Sequence, residues 1–150
     1  MGPRRFQDVG SIDLEVVRSF FDAQIPFNAF LGLRLREVDR GRVLAELPFR
    51  PEFIGNPFRP ALHGGVISML ADTVGGASLY TLTDPGDQLA TIDLRVDYLR
   101  PGRPEDLLAE GQVVRWGNRV GVSSIAVHHP GDDEPIAVAK GVYNIKRVST

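Results

Sequence analysis

Residues 62–78 read LHGGVISMLADTVGGAS and combine one carboxylate with glycine, alanine and aliphatic side chains. Asp72 is the single acid in this stretch, although burying an unpaired charge is unfavourable. His63, Gly64 and Gly65 stand at its start. Free amides at the start of a helix are hydrogen-bond donors, and glycine leaves room for a ligand against the backbone. Such donors, together with an activated nucleophile, are what attack on a carbonyl group requires.

The spacing of these residues decides whether one chain can build such a site. Gly65 and Asp72 are seven residues apart, which is about 700° of helical rotation, so they share a helix face. They are also about 10 Å apart along the axis, too far for one carbonyl group to touch both. Two antiparallel helices from two subunits would place the carboxylate of one beside the glycines of the other. The spacing therefore predicts a site completed across a dimer interface.

A structural role for the same residues is the alternative. Asp72 could pair with an arginine such as Arg95, and Gly64 and Gly65 could permit a tight turn from loop to helix. The position of His-Gly-Gly nine residues before the acid favours catalysis for Asp72. For His63 taken alone, the role of a hydrogen-bonded loop residue is favoured.

The helix that carries Asp72 is itself unusual, because most of its positions are apolar or very small. A helix that is apolar nearly all round is buried nearly all round. Gly75 and Gly76 each cost about 1 kcal/mol of helix propensity relative to alanine. We expect the close approach of another backbone to offset this cost, and a second subunit is the simplest cover.

The composition predicts an ordinary soluble domain and excludes several function classes. The chain has 150 residues, a net charge of −2 at pH 7 and no cysteine. One domain over residues 1–150 is expected, without disulfides, thiolate catalysis or a cysteine-based metal site. No apolar run reaches the length of a membrane span, and the start of the sequence does not resemble a signal peptide. We therefore expect a cytoplasmic protein whose main partner is neither nucleic acid nor membrane.

Helix and strand patterns are segregated along the chain. Residues 1–10 are expected to be a loose end, and a helix over residues 11–24, with Ser11 as its N-cap, is expected to end at Pro26. A hairpin, a loop rich in proline and glycine, and the long apolar helix are predicted at 33–49, 50–65 and 65–82. Four strand patterns complete the chain. This order predicts an α+β fold with an antiparallel sheet.

Two of the later strands carry polar residues of interest. The pattern over Thr91–Leu99 alternates and predicts one apolar face made of Ile92, Leu94, Val96 and Tyr98. Thr91 is predicted on the opposite face. A later strand ends in His128 and His129, which are predicted to be a solvated strand end rather than metal ligands.

Two stretches of the sequence together resemble a known family. LHGGVISMLADTVGGAS, followed by ATIDLRVDYLRPG, resembles the hotdog-fold acyl-CoA thioesterases, most closely the phenylacetate-pathway (PaaI-like) type of the 4-hydroxybenzoyl-CoA thioesterase superfamily. The resemblance covers roughly residues 28–147. It implies a hotdog fold, in which a curved antiparallel sheet wraps one long helix and two copies pair into a continuous sheet. The helix at residues 11–24 would be an addition to it. The implied activity is hydrolysis of acyl-CoA to a free acid and coenzyme A.

The resemblance assigns roles to single positions. Asp72 corresponds to the carboxylate that acts as general base or nucleophile. The amides of Gly64 and Gly65 correspond to those that polarise the thioester carbonyl, and His63 has a supporting role. Asn56 corresponds to an upstream asparagine that helps to place the carbonyl or the water, although the loop is one residue longer than the common spacing.

The resemblance also covers the water, the coenzyme and the assembly. Thr91 corresponds to a hydroxyl residue that can hold the water. Arg100, Arg115 and Arg119 lie near positions where the family meets the phosphates of coenzyme A. No metal and no bound cofactor are implied, since coenzyme A enters as part of the substrate. A homodimer is implied, either alone or paired into a tetramer.

The acyl group and two other functions stay open at this stage. An apolar acyl pocket could be lined by Phe27, Phe30, Phe53 and Phe58, which suits phenylacetyl and medium-chain groups equally. One alternative is a non-catalytic acyl-CoA sensor, although no separate DNA-binding segment is visible. The other is a hotdog hydratase or dehydratase, which would need motifs such as an Asp followed five residues later by a His, and that spacing does not occur here.

Overall fold

The computed structural model describes Phe6 and residues 9–148, so most of the predicted loose end at residues 1–10 lies outside the described residues. The described helices are α1 (Leu14–Ser19), α2 (Pro26–Leu31) and α3 (Gly64–Tyr80), with a π-helical turn at Phe20–Gln24 and a 3₁₀ turn at Pro51–Phe53. The described strands are β1 (Arg34–Asp39), β2 (Arg42–Leu47), β3 (Ile54–Asn56), β4 (Ala61–Leu62), β5 (Gln88–Tyr98), β6 (Leu107–Trp116), β7 (Val120–His128) and β8 (Ala137–Lys146).

Six of the described strands form one sheet in the order β1-β2-β6-β7-β8-β5, while β3 and β4 form a separate pair. Every pairing in the large sheet is antiparallel. After α3 the chain enters β5, which pairs with β8, so β1 and β5 are the two edges. The predicted α+β class with an antiparallel sheet is confirmed, as are the hairpin at 33–49 and the long helix.

The helix α3 packs one face against the sheet, where it contacts β2, β5, β6, β7 and β8. The residues of that face are apolar or small, and they are Ile67, Leu70, Ala71, Val74, Gly75, Ala77, Ser78 and Leu79. A second face, which we call the open stripe, is only partly covered and consists of Gly65, Ser68, Met69, Asp72, Thr73, Gly76 and Tyr80. These positions recur three or four residues apart, as one helix face does. No helix in the described part of the chain is long and apolar enough to cross a membrane.

The start of the N-terminal helix differs from its prediction. Asp13, not Ser11, is the N-cap of α1, and its carboxylate accepts a hydrogen bond from the Glu15 amide at 2.8 Å. The amide and hydroxyl of Ser11 instead donate to the Asp84 carboxylate, at 3.0 and 3.2 Å. Serine and aspartate both cap helices well. Because the Ser11 hydroxyl is bonded to Asp84, it does not cap α1, and Asp13 does so instead.

The helical segment after Pro26 was not predicted. Proline at the first turn of a helix loses no hydrogen bond, because that amide would be unpaired in any case. Pro26 therefore ends the first helical segment and also opens α2, which closes at Gly32 with a φ of 74°. In the π-helical turn between α1 and α2, the Ile25 amide donates to the Phe20 carbonyl at 3.2 Å.

Buried hydroxyl groups tie α3 to the sheet. The Oγ atoms of Ser78 on α3 and Ser123 on β7 lie 2.7 and 2.9 Å from the carbonyl oxygen of Gly75. They are also 2.8 Å from one another, and both serines are fully buried. Because each buried hydroxyl has a partner, the contact fixes the height of α3 over β7 without leaving an unsatisfied polar group.

The side chain of Tyr143 on β8 requires a glycine at position 75. A Cβ atom there would lie 2.4 Å from the Tyr143 hydroxyl and 3.0 Å from Cδ1 of Ile125. A Cβ at Gly76 would meet only Tyr143 Cε1, at an ordinary 3.6 Å. The expected close approach to the helix therefore occurs at Gly75, and the approaching group is an aromatic side chain of the same chain. At Gly75 this side chain takes the place of the expected backbone, whereas cover of the helix by a second subunit stays a prediction.

A β-bulge in β5 changes which residues face α3. The register between β5 and β8 shifts between Thr91 and Asp93, and Ile92 in the bulge is 59% exposed. A bulge reverses the alternation of side chains along its strand. Thr91 therefore faces α3 together with Leu94, which packs against the core. The predicted faces of Thr91 and Ile92 were wrong for this reason.

His129 is fully buried, so the prediction of a solvated strand end was wrong for this residue. Its Nε2 accepts a hydrogen bond from the Arg103 amide at 2.9 Å, and its Nδ1 lies 2.9 Å from the Asp106 carbonyl oxygen. A ring that accepts at Nε2 carries its proton on Nδ1 and donates there. The neutral imidazole therefore joins two loop segments of the backbone.

We expect Gly75→Ala to lower the free energy of unfolding by about 1–3 kcal/mol, because overpacking outweighs the gain in helix propensity. The control Gly76→Ala lies one residue further along the same helix and has room for its methyl group, so it should be neutral or stabilising. Urea unfolding followed by circular dichroism measures both. Adding Tyr143→Phe to Gly75→Ala should recover part of the loss, since the hydroxyl is the nearest atom. A Gly75→Ala protein as stable as the native one would contradict this packing.

Candidate active site

A cavity of about 420 Å³ lies along the open stripe of α3 and contains Asp72. Most of its lining is apolar and aromatic, and comes from the π-helical turn, α2, α3, β5 and β8. The lining residues are Phe20, Phe21, Ile25, Phe27, Asn28, Met69, Asp72, Thr73, Gly76, Tyr80, Leu89, Thr91 and Tyr143. The size is that of a small-molecule site.

The carboxylate of Asp72 is held by a hydroxyl and not by a cation. Thr91 Oγ1 donates to Asp72 Oδ1 at 2.8 Å, and no ion pair forms on this carboxylate within the described residues. Arg95, the cation weighed as its structural partner, pairs instead with Asp97 at 3.3 Å. The second carboxylate oxygen, Oδ2, has no hydrogen-bond partner among the described residues. Asp72 therefore keeps one oxygen available for chemistry.

Tyr143 on β8 bonds the backbone of α3 at Asp72 from the side of the sheet. Its hydroxyl donates to the Asp72 carbonyl oxygen at 2.9 Å. Burial raises the pKa of the phenol well above its ordinary value, and the negative charge of Asp72 raises that pKa further. Tyr143 therefore stays protonated at neutral pH and serves as a donor, not as a base.

The N-terminus of α3 is capped by the histidine of the motif. His63 is the N-cap, and its Nδ1 accepts a hydrogen bond from the Gly65 amide at 2.8 Å. The Gly64 amide has no hydrogen-bond partner within the described part of the chain. On the other side of the backbone, the Tyr98 hydroxyl donates to the Gly64 carbonyl oxygen at 3.1 Å. One of the two amides considered as donors is thus open, and the other is shared with the imidazole.

Of the two glycines, Gly65 stands where a side chain would collide, whereas a Cβ at Gly64 would make ordinary van der Waals contact. A Cβ at Gly65 would lie 2.8 Å from the Nδ1 of His63, and one at Gly64 would lie 3.4 Å from the Tyr98 ring. A larger residue at position 65 would therefore displace the capping imidazole. The packing at the start of α3 therefore requires a glycine at position 65, in addition to any chemical use of its amide.

The cavity around Asp72 does not include the glycine end of the helix. Of the residues predicted for the site, Asp72 and Thr91 line it, whereas His63, Gly64, Gly65 and Asn56 do not. Asp72 and Gly65 share the open stripe of a continuous helix, as the spacing predicts, yet one chain does not bring the carboxylate and the amides into one cavity.

Asn56 serves as a turn residue in this structure. Its Oδ1 accepts hydrogen bonds from the amides of Phe58 and Arg59 at 3.0 and 3.3 Å. Asparagine side chains commonly close turns in this way. Its side-chain amide nitrogen makes no hydrogen bond within the described residues, so a donor remains.

The three arginines expected near coenzyme A do not converge in one chain. Arg100 follows β5, bonds through its amide to the Ile136 carbonyl, and pairs with Glu134 at 2.5 Å. Arg119 lies at the opposite end of the sheet, where its carbonyl accepts from the Ile145 amide. Arg115 lies on the strand leading to that same turn, and its side chain is exposed.

The phenylalanines expected around the acyl group are only partly those of the cavity. Phe27 lines it, but Phe53 is buried in the core and Phe58 is 93% exposed. Phe30 is also exposed, with the Arg50 guanidinium 4.9 Å from its ring centroid. The aromatic wall comes mainly from side chains that the sequence analysis missed, and these are Phe20, Phe21, Tyr80 and Tyr143.

One further polar residue in the wall was missed. Asn28 is 2% exposed, lines the cavity, and donates through Nδ2 to the Phe21 carbonyl at 3.1 Å. A lone asparagine in an apolar segment carries no signal of a site by itself, since many buried asparagines satisfy turns. Among the described residues, no group of three or more His, Asp or Glu side chains is placed to hold a metal ion.

A family model described as the thioesterase superfamily matches residues 60–136 of the chain. The chain belongs to the thioesterase superfamily. The matched segment includes α3, the site carboxylate and three of the six strands of the large sheet, β5, β6 and β7. Membership confirms the expected hotdog fold and the expected class of enzyme, a thioester hydrolase.

Individual members of the superfamily match most of the chain. It is 35% identical over 147 residues to the medium/long-chain acyl-CoA thioesterase YigI of Salmonella typhimurium, covering 88% of this chain and 93% of that one. YigI of Escherichia coli is 36% identical over 131 residues, covering 77% and 83%. A solved structure from Shewanella oneidensis, related to the thioesterase superfamily, is 37% identical with a TM-score of 0.77, covering 87% of this chain and 94% of the other.

We expect Thr91→Val to lower kcat for thioester hydrolysis by about tenfold, because a hydrogen bond to a carboxylate contributes about 1.5–3 kcal/mol. KM should change little, since the bond orients Asp72 and does not hold substrate. Thr91→Ser, which keeps the hydroxyl, should stay close to the native rate. Steady-state release of thiol from one acyl-CoA measures all three proteins. A native kcat in Thr91→Val would show that this bond does not serve the reaction.

Proposed function

We propose that this thioesterase hydrolyses acyl-CoA to a free acid and coenzyme A, with Asp72 as the reacting carboxylate. The observation that supports this most is the cavity itself. A carboxylate with one oxygen fixed by Thr91 at 2.8 Å stands in an apolar cavity large enough for an acyl group. Apolar surroundings strengthen the electrostatic effect of a fixed charge on a bound thioester.

The proposed reaction uses the two carboxylate oxygens differently. Thr91 holds Oδ1, and Oδ2 faces the thioester carbon. Either Oδ2 takes a proton from a water that attacks the carbon, or it attacks the carbon itself and water then cleaves the resulting anhydride. In both routes the carbon–sulfur bond breaks, the thiolate of coenzyme A takes up a proton, and the acid is released.

The carbonyl oxygen becomes negatively charged during attack and needs donors at that moment. The Gly64 amide is open, and it lies at the N-terminus of a 17-residue helix, where the helix dipole favours negative charge. The Gly65 amide is bonded to His63 Nδ1 and joins as second donor when the imidazole turns away. This gives His63 a supporting role and leaves the chemistry to Asp72. Asn56 Nδ2 remains a further donor for the carbonyl or the water.

We propose that two protomers complete each site. The glycine end lies outside the Asp72 cavity of its own chain, about 10 Å along the same helix from the carboxylate. Two antiparallel copies of α3 place the amides of one beside the carboxylate of the other. The edge strand β5 supports such pairing, because it is 11 residues long and exposes Ile92 and Tyr98. A long exposed edge presents unpaired backbone groups to which another strand can pair.

The acyl group we propose is a medium or long chain. The cavity wall is apolar and aromatic, and the YigI relatives are named for medium- and long-chain substrates. The resemblance to the phenylacetate-pathway type adds phenylacetyl-CoA to the panel of test substrates, because the same wall suits an aromatic group.

Of the three arginines expected at the phosphates of coenzyme A, Arg115 and Arg119 have exposed side chains. Arg100 would have to break its ion pair with Glu134 to bind a phosphate.

The reaction as proposed needs no metal and no cofactor beyond the coenzyme A of the substrate. A homodimer, alone or paired into a tetramer, and a cytoplasmic location stay predictions. Rapid release of thiol from acyl-CoA distinguishes the enzyme from a non-catalytic acyl-CoA sensor. Conversion of an enoyl-CoA into a hydroxyacyl-CoA, or the reverse, without release of thiol would instead indicate a hydratase or dehydratase.

We expect Asp72→Asn and Asp72→Ala to lower kcat by about 10² or more, because the carboxylate acts chiefly in the transition state. Both proteins should unfold near the native temperature. Asp133→Asn is the matched control, since this aspartate is exposed on a turn outside the cavity and should keep native turnover. Thiol release over butyryl-, dodecanoyl-, palmitoyl- and phenylacetyl-CoA measures the effect. Near-native turnover in either Asp72 variant would refute the assignment.

A second experiment tests the shared site. Asp72→Ala and Gly65→Pro, which removes an amide donor, should each be nearly inactive. Mixed under conditions that exchange subunits, they form heterodimers with one site whose halves are both native. Activity should then recover toward about half of the native value per mixed dimer, since one site of two is intact.

Two outcomes would contradict the shared site. If both variants fold and exchange but the mixture stays inactive, the two halves lie on one chain. A fully active monomer at low concentration would show the same. Gly64→Leu replaces Gly65→Pro if the proline distorts the loop, because it obstructs the same end of α3 and keeps both amides.

A further inference from the structure

A second cavity of about 510 Å³ adjoins the cavity that holds Asp72. The two share four wall residues, Phe20, Phe21, Tyr80 and Leu89. From these the second cavity continues between α1 and the start of β5, past Ile12 and Val16 to Gln24 and Gln88. We call this second space the outer groove. Because these four residues line both spaces, they form the wall between the Asp72 cavity and the outer groove.

The charge of the outer groove limits what can occupy it. No lysine or arginine occurs among the described residues that line it, and its single acid is Asp87. Asp87 is 5% exposed and is engaged by the amides of Asp84 and Val148 and by Arg147. The phosphates of coenzyme A would find no cation there. The groove therefore suits an uncharged, apolar chain.

Three aromatic rings stand where the two cavities meet. The Phe20 and Phe21 centroids lie 5.9 and 5.6 Å from that of Tyr80, and 5.4 Å from each other. Tyr80 is held by its hydroxyl, which accepts a hydrogen bond from the Leu89 amide at 3.3 Å, and Phe21 is 4% exposed. Phe20 is only partly buried. The π-helical turn, a rare element often found at functional sites, brings both consecutive phenylalanines against Tyr80.

We propose that the outer groove holds the distal part of the acyl chain, so that α1 and the π-helical turn form the roof of the acyl site and set its length. The inference rests on the proposed function for the chemistry at Asp72. The thioester lies at Asp72 and Thr91, the first carbons fill the inner cavity, and longer chains pass the three rings into the outer groove. Phe20, as the least buried ring, moves to admit them. The terminal methyl lies near Val16 on α1 and Gln88 on β5.

This arrangement predicts how affinity depends on chain length. Each buried methylene is worth about a fourfold gain in affinity, so substrates that fill the outer groove should be preferred over those that stop at the rings. Filling the groove with an indole should remove that preference. Val16→Trp fills the groove from α1, and Gln88→Trp fills it from β5. If one variant fails to fold, the other still tests the inference.

The first measurement compares kcat/KM for palmitoyl-CoA and butyryl-CoA. We expect the ratio of the two to fall by about tenfold or more in Val16→Trp and in Gln88→Trp, because several methylenes lose their burial. Ser19→Trp is the matched control, since Ser19 is an exposed residue of α1 that lines neither cavity. Its ratio should stay native. Thermal unfolding verifies that each variant is folded.

The second measurement does not depend on hydrolysis. The fluorescent fatty acid cis-parinaric acid should bind the native protein and Ser19→Trp equally, and bind both groove variants about tenfold more weakly. If thiol release has the native chain-length preference in both groove variants, the acyl chain lies elsewhere and this inference is overturned while the proposed function stands. If no acyl-CoA is hydrolysed but the groove variants still weaken the binding of cis-parinaric acid, the acyl groove stands and the proposed function fails.

Discussion

The contact of Tyr143 with α3 is the constraint on which the site depends. The ring fits between two glycines, because a Cβ at Gly75 or at Gly141 would lie within 2.6 Å of its atoms. The same hydroxyl that occupies the space beside Gly75 bonds the Asp72 carbonyl at 2.9 Å. Packing thus sets both the depth of α3 in the sheet and the rotation that leaves Asp72 on the open stripe. Burying a large side chain is worth about 1.5–3 kcal/mol, which offsets the poor helix propensity of the glycine.

The bulge in β5 is the second device that the carboxylate depends on. Without the register shift between Thr91 and Asp93, strict alternation would turn the Thr91 hydroxyl away from α3. With the shift, Thr91 and Leu94 both face the helix, one bonding Asp72 and the other packing in the core. Bulges are common beside active sites, where they redirect a single side chain. Here the bulge also leaves Ile92 exposed on the free edge of the sheet.

Patterns within short windows of the sequence were enough to predict the first helix, the six strands of the large sheet and the long helix. They did not predict α2, or the short strands β3 and β4, which lie in the stretch 50–65 that was predicted as loop. The helix that carries Asp72 was predicted from the length of its apolar run, and Asp72 was noticed as the single acid in it. The bulge at Ile92 was not predicted, since neither glycine nor proline marks it, and alternation alone predicts a regular strand. The aromatic wall was also missed, because Phe20, Phe21 and Tyr143 meet α3 through contacts distant in sequence. From its neighbours in the sequence alone, each of these three residues is predicted to be an ordinary core residue. Likewise, the choice of Asp13 over Ser11 as cap depends on a bond to Asp84, 73 residues away.

In the proposed dimer, the two subunits contribute different parts of each site. In one protomer the Asp72 cavity and the outer groove share a wall, so the proposed reacting carboxylate and the proposed groove for the acyl chain belong to the same chain. The open Gly64 amide lies outside both cavities, so in the proposed dimer it would serve the substrate of the partner subunit. Under the two proposals, α1 and the π-helical turn of one subunit would select the chain length, whereas the helix N-terminus of the other subunit would polarise the carbonyl. Because the two functions lie at opposite ends of α3, a change in the roof can alter substrate preference without disturbing the donors that stabilise the transition state.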